Sequence, residues 1–141
     1  MSEFVLDNSV TMRWCFEGTA TTYSERVLEN LLQGSRAHVP VLWLYEVVAV
    51  LAKAQRTGSI TGEKVHGFLE DLRSLDIRVD NESVGYIFGD VYQLAVERRL
   101  SGYDAAYLEL AARKSIPLAT LDQELAAAAT MAGVELTGGR L

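Results

Sequence analysis

Four acidic residues stand against apolar sequence. Asp7 follows Phe4-Val5-Leu6, Glu46 sits inside Val41-Leu42-Trp43-Leu44-Tyr45-Glu46-Val47-Val48, Asp104 lies in Tyr103-Asp104-Ala105-Ala106-Tyr107-Leu108, and Asp122 follows Leu118-Ala119-Thr120-Leu121. Acidic side chains are almost never fully buried without a partner, and one left bare in a low-dielectric site raises its pKa until it neutralises. Two carboxylates about 5 Å apart repel by roughly 3 kcal/mol at an effective dielectric near 20. Mg²⁺ or Mn²⁺ relieves that repulsion, because carboxylates and water are the preferred ligands of hard divalent ions. The chemistry open to such a cluster is activation of a metal-bound water.

Each acid also has a local explanation. Asp7 can close a side-chain turn at a strand end. Asp104, three residues after Ser101, can complete a capping box, and Asp122 can cap the helix after it. Glu46 resists such an account, since its neighbours are apolar on nearly every side of a helix. Competing site chemistries are missing from the sequence. His38 and His66 lack metal-ligand spacing, Cys15 is the single cysteine, and no glycine-rich phosphate loop is present.

The elements that must carry these acids follow from the apolar pattern. Phe4–Leu6 predicts a short buried strand ending at Asp7. Thr22–Leu32 has helical spacing at Val27, Leu28, Leu31 and Leu32, with Gly34 as a C-terminal stop. Ala37–Val39 is a second strand, and Pro40 introduces a helix over Val41–Arg56. A helix from Thr61 to about Leu72 and a third strand over Asp76–Val79 come next. Asn81 or Ser83 caps a long helix reaching Arg99, with Ile87, Val91, Leu94 and Ala95 inward. Tyr103–Lys114 is helical, Pro117–Thr120 a fourth strand, Gln123–Ala132 a last helix, and Val134–Leu136 a candidate fifth strand. Trp14, Phe16, Trp43 and Tyr45 are expected in the core.

This alternation predicts an α/β domain over residues 1–136, three layers deep (α/β/α), with a mostly parallel sheet of four to five short strands and a loose tail at 137–141. In such sheets reactive residues gather beyond the carboxyl ends of the strands, near a topological switch point. Asp7 and Asp122 fall there by sequence alone, and Glu46 and Asp104 lie in the first turns of helices that could face the same crevice.

Composition sets wider bounds. The 141 residues are 49% apolar and 23% charged, ordinary for a globular chain. The longest nearly apolar run, Val39–Ala52, is broken by Glu46 and is too short to span a bilayer. The start resembles no secretory signal, and a lone cysteine suits a reducing cytoplasm. Net charge is 13 − 19 = −6. If the four acids share one metal site, the remainder carries −6 + 4 = −2, which leaves room for a basic rim drawn from Lys53, Arg56, Arg98, Arg99, Arg113 and Lys114.

Four segments, Phe4-Val5-Leu6-Asp7-Asn8-Ser9, Pro40-x-Leu42-Trp43-x-x-Glu46, Tyr103-Asp104-Ala105-Ala106-Tyr107-x-x-x-Ala111 and Leu118-Ala119-Thr120-Leu121-Asp122, resemble in order and spacing the motifs of PIN-domain ribonucleases. More narrowly they resemble the VapC toxins of toxin–antitoxin pairs. The resemblance covers nearly the whole chain and places the family's metal-binding acids on Asp7, Glu46, Asp104 and Asp122. Its two hydroxyl positions fall on Ser9 and Thr120, as outer partners of the acids or of a metal-bound water. Glu124 is an additional acid whose role the family pattern leaves open.

The resemblance implies a cytoplasmic endoribonuclease that cleaves RNA phosphodiesters through one or two Mg²⁺ or Mn²⁺ ions. It also implies a homodimer and a small VapB-like antitoxin that blocks the site. The helices near residues 23–32 and 41–72 could form the groove for that antitoxin. The rival reading is a non-cleaving PIN-like module that binds RNA or protein. A haloacid dehalogenase-type phosphohydrolase fits poorly, because its second Asp would fall on Ser9.

Overall fold

The apolar runs form a four-stranded parallel sheet, which a computed structural model describes over residues 2–138. In chain order the elements are β1 (Glu3–Leu6), α1 (Asn8–Thr11) running into a 3₁₀ turn (Met12–Trp14), α2 (Thr22–Leu32), β2 (Arg36–Pro40), α3 (Val41–Arg56), α4 (Gly62–Ser74) and β3 (Ile77–Asp80). Then come α5 (Tyr92–Arg98), α6 (Gly102–Lys114), β4 (Leu118–Ala119) and α7 (Gln123–Met131). Strand order is β3-β2-β1-β4, so the chain winds outward through β2 and β3 before returning to the other side of β1. The switch point therefore lies where β1 and β4 end, immediately before Asp7 and Thr120.

Phe4, Val5 and Leu6 are all buried. Successive strand residues face opposite sides of a sheet, so helices must cover both faces of β1. Local chemistry sets the helix starts. Thr21 and Ser24 form a reciprocal capping box at α2, the Thr61 side chain caps α4, and Ser101 caps α6. Among the described residues no helix is long and apolar enough to cross a membrane.

Several expectations need correction. The long helix predicted between Ser83 and Arg99 is instead a 3₁₀ turn (Ser83–Tyr86), a π turn (Ile87–Val91) and the short α5. Gly85 and Gly89 interrupt the segment, and glycine weakens a helix interior. Neither proposed cap serves there, and the Ser83 hydroxyl donates to Asp80. Ile87, expected inward, is substantially exposed, while Val91 is buried. The candidate fifth strand reduces to one bridge between Leu118 and Leu136. Tyr45 is 71% exposed and not in the core, whereas Trp43 is buried and Trp14 and Phe16 pack against the core. Of the tail at 137–141, the Thr137 N–H donates to the Leu118 carbonyl, and residues 139–141 lie outside the described residues.

Arg113 is not a rim residue either. Its guanidinium donates to Asp80 Oδ2 at 2.7 Å and to Glu109 Oε2 at 2.7 Å, and stacks over the Tyr86 ring at 4.4 Å. Burial works against the Asp80 charge, but the bonds from Arg113 and Ser83 outweigh it and hold its carboxyl below the usual range. The arginine thereby pins the end of β3 to α6, the helix that carries Asp104. Removing one partner from a buried ion pair strands the others. Arg113→Met should destabilise the fold by about 3 kcal/mol in urea titrations, and a loss under about 0.5 kcal/mol, the range of ordinary surface changes, would contradict this.

Candidate active site

The ends of β1 and β4 are sewn together by two hydroxyls. Ser9 Oγ donates to Asp7 Oδ2 at 2.6 Å and accepts the Leu121 N–H at 2.9 Å. Thr120 Oγ1 donates to the same Oδ2 at 2.7 Å and accepts the Asp122 N–H at 3.0 Å. Each hydroxyl spans from the β1 end to the β4 end, so Asp7 and Asp122 hold a fixed relation. Asp7 is only 5% exposed. Burial pushes its carboxyl pKa up, the bonds from Ser9 and Thr120 pull it back, and the nearby Asp122 charge adds to the upward push.

Glu46 enters from α3. That helix is fixed against α1, which begins right after Asp7, by the Trp43 indole N–H donating to Thr11 Oγ1 at 3.0 Å, a fully buried bond. Glu46 lies one turn on and is half-buried. Burial raises its pKa against the hydrogen bond from the Tyr107 hydroxyl to Oε1, with Asp7 adding repulsion. Asp104 sits in the first turn of α6, where Ser101 Oγ accepts its backbone N–H at 3.1 Å. Among the described residues no bond returns from its carboxylate to Ser101, so half of the capping-box reading is realised. Asp122 does cap α7, its Oδ1 accepting the N–H groups of Glu124 and Leu125.

The four acids share one electrostatic field. Asp104 is pushed up to about 6, first by burial and then by the charges of Asp122, Asp7, Glu46 and Glu124, in that order. Glu124 is exposed and acts last in this series, a bystander whose backbone serves the Asp122 cap.

The bonding also leaves each acid incomplete. Glu46 Oε2, Asp122 Oδ2 and both Asp104 oxygens accept no hydrogen bond from the described residues, and the Asp7 carboxylate, with both hydroxyls on Oδ2, otherwise faces only the Ser9 backbone N–H. Every acid thus keeps oxygen lone pairs for an outside ligand, and an all-oxygen anionic set fits a hard divalent cation. Like charges repel and the cluster stands open: among the described residues no three acidic, histidine or cysteine side chains adopt a ligating arrangement.

A match to the family model for the PIN domain spans residues 4–131. The chain belongs to the PIN-domain family. It is 31% identical over 103 residues to Ribonuclease VapC3 of Pyrobaculum aerophilum, covering 73% of this chain and 79% of that protein. A crystal structure of another Pyrobaculum aerophilum protein superposes with a TM-score of 0.66 at 24% identity, over 90% of this chain and 84% of that one. VapBC2 of Rickettsia felis, solved bound to a promoter DNA fragment, gives 0.67 at 13% identity over 95% and 96% of the two chains. A toxin–antitoxin complex from Klebsiella pneumoniae gives 0.58 at 15% identity over 84% and 86%. At these identities the structural likenesses establish the PIN fold.

The site holds one residue the sequence reading passed over. Tyr107 is fully buried on α6 and bonds directly to Glu46. A signal for it existed, since a buried tyrosine hydroxyl needs a polar partner and Glu46 needed one too.

Burial of Asp104 and repulsion within the cluster have a measurable consequence for stability. Because Asp104 holds its proton more tightly folded than unfolded, the folded state loses stability as pH rises from about 4 to about 6. In EDTA, Asp104→Asn should therefore melt a few degrees higher than the native chain at neutral pH, with the gap closing below about pH 4. A variant that melts lower at neutral pH would contradict the field described above.

Proposed function

We propose that the chain is a divalent-metal-dependent endoribonuclease and the toxin of a VapBC-type pair, acting in the cytoplasm. The observation that carries this reading is the set of oxygen lone pairs left on four mutually repelling carboxylates, placed at the positions of the PIN motifs. Support comes also from the 31% identity to a protein named Ribonuclease VapC3.

Asp7, Glu46, Asp104 and Asp122 would hold one or two Mg²⁺ or Mn²⁺ ions. Such an ion, when bound, lowers the pKa of a coordinated water and neutralises charge building on a phosphodiester. The chain's own part is placement. Ser9 and Thr120 hold Asp7 by its Oδ2 and work against the upward push of burial on its pKa. The α7 amides hold Asp122 by its Oδ1. Asp104, about half protonated near pH 6, would lose that proton on binding.

An antitoxin is the natural partner, since proteins of this fold are found in toxin–antitoxin complexes. Val41, Leu44, Tyr45 and Val48 remain exposed along α3, as a surface for an amphipathic partner segment would require. A homodimer belongs to the same proposal. The open arrangement of the acids favours one rival, a module that binds RNA without cutting it.

Purified chain free of antitoxin should cleave RNA with Mg²⁺ or Mn²⁺ and stop in EDTA. Asp7→Asn and Asp104→Asn should each lower the rate at least about a hundredfold with circular dichroism unchanged. Attack by water and not by the ribose 2′-hydroxyl predicts products free of 2′,3′-cyclic phosphate. Unchanged cleavage in both variants would sink the proposal, and RNA bound but intact under both metals would favour the non-cleaving module.

A further inference from the structure

Tyr107 is 0% exposed, packed in the centre of α6, and its hydroxyl donates to Glu46 Oε1 on a different helix. The Asn8 backbone, next to Asp7, also faces the phenol oxygen. On α6 the tyrosine lies three residues after Asp104, so the two occupy neighbouring positions on one helical face. A single phenol thus connects three segments that carry acids: the end of β1, α3 and α6.

Glutamate has three rotatable bonds, and a half-buried one loses considerable freedom when held in one geometry. Tyr107 has two, both locked by packing. Burial keeps the phenol protonated, so it remains a donor throughout the physiological range. With Oε1 occupied, Glu46 keeps Oε2, which accepts no hydrogen bond from the described residues. We propose that Tyr107 is a positioning residue: its hydroxyl sets the aim of Glu46, and through it the affinity of the site for a divalent cation. The inference rests on the metal reading above. It adds a residue that touches neither cation nor RNA.

The test is Mn²⁺ binding alone, by calorimetry or by electron paramagnetic resonance, on the full chain without RNA. Tyr107→Phe removes one oxygen from a packed ring, and Mn²⁺ affinity should fall roughly ten- to a hundredfold, as for other outer-sphere partners. Glu46→Gln should weaken binding too, and adding Tyr107→Phe to Glu46→Gln should cause little further loss, because the hydroxyl acts through Glu46. Native affinity in Tyr107→Phe, or the same fold loss in both backgrounds, would overturn the positioning role. Native protein that binds no Mn²⁺ would overturn the metal reading and this inference with it.

A measurement on the unsubstituted sequence covers the case in which Tyr107→Phe does not fold. Among the described residues Tyr107 is the one fully buried tyrosine. In chain labelled with 3-fluorotyrosine its solvent-shielded ¹⁹F resonance should move as Mg²⁺ saturates the site, and a resonance that stays fixed through saturation would overturn the proposal.

Discussion

Four carboxylates must be brought within each other's field while each stays available to something outside the protein. That requirement opposes folding, since burial first and the neighbouring charges second push Asp104 up to about 6. A fold can sustain such a cluster only if each acid is tied down by groups that do not use up its oxygens. The chain meets this with hydroxyl and amide donors that each take one oxygen: Ser9 and Thr120 on Asp7, α7 amides on Asp122, Tyr107 on Glu46. Among the described residues no cationic side chain forms a salt bridge with the four acids. Arg113 is engaged with Asp80 and Glu109, where it braces β3 against α6 without neutralising the cluster.

The parallel sheet explains why the cluster forms where it does. Because β4 returns to the far side of β1, the segments after the two strands lie side by side and their acids converge. The other two acids arrive on helices, Asp104 in the first turn of α6 and Glu46 not in the expected first turn but in the second turn of α3. The helix positions depend on longer-range contacts: Trp43 to Thr11 for α3, and Arg113 for α6. The geometry of the acid cluster therefore depends on buried contacts several residues away from the clustered acids.

Much of this was visible in the sequence because it rests on short-range patterns. Strands ending at Asp7 and near Asp122, and helices opening near Thr22, Thr61 and Tyr103, follow from apolar runs and capping chemistry. What escaped was set by tertiary context. The segment Ser83–Val91 has helical apolar spacing, yet Gly85 and Gly89 break it and Phe88 is 97% exposed. Tyr45 lies in an apolar run but faces outward, and no single-chain pattern separates a core face from one left open. Arg113 looked like any surface arginine near a helix end, because its partner Asp80 is 33 residues away. For the acids, the local reading is realised at Asp122, which caps α7 through Oδ1 while its Oδ2 accepts no hydrogen bond from the described residues.

The central claim is that the four acids act together as one cation site, and proton release on metal binding tests it most directly. Near pH 6 Asp104 is about half protonated, and a cation must displace that proton. Calorimetric Mn²⁺ titrations in buffers of different ionisation enthalpy should show proton release near pH 6 that fades by about pH 8. Absence of Mn²⁺ binding, or binding with no proton release at either pH, would contradict the account.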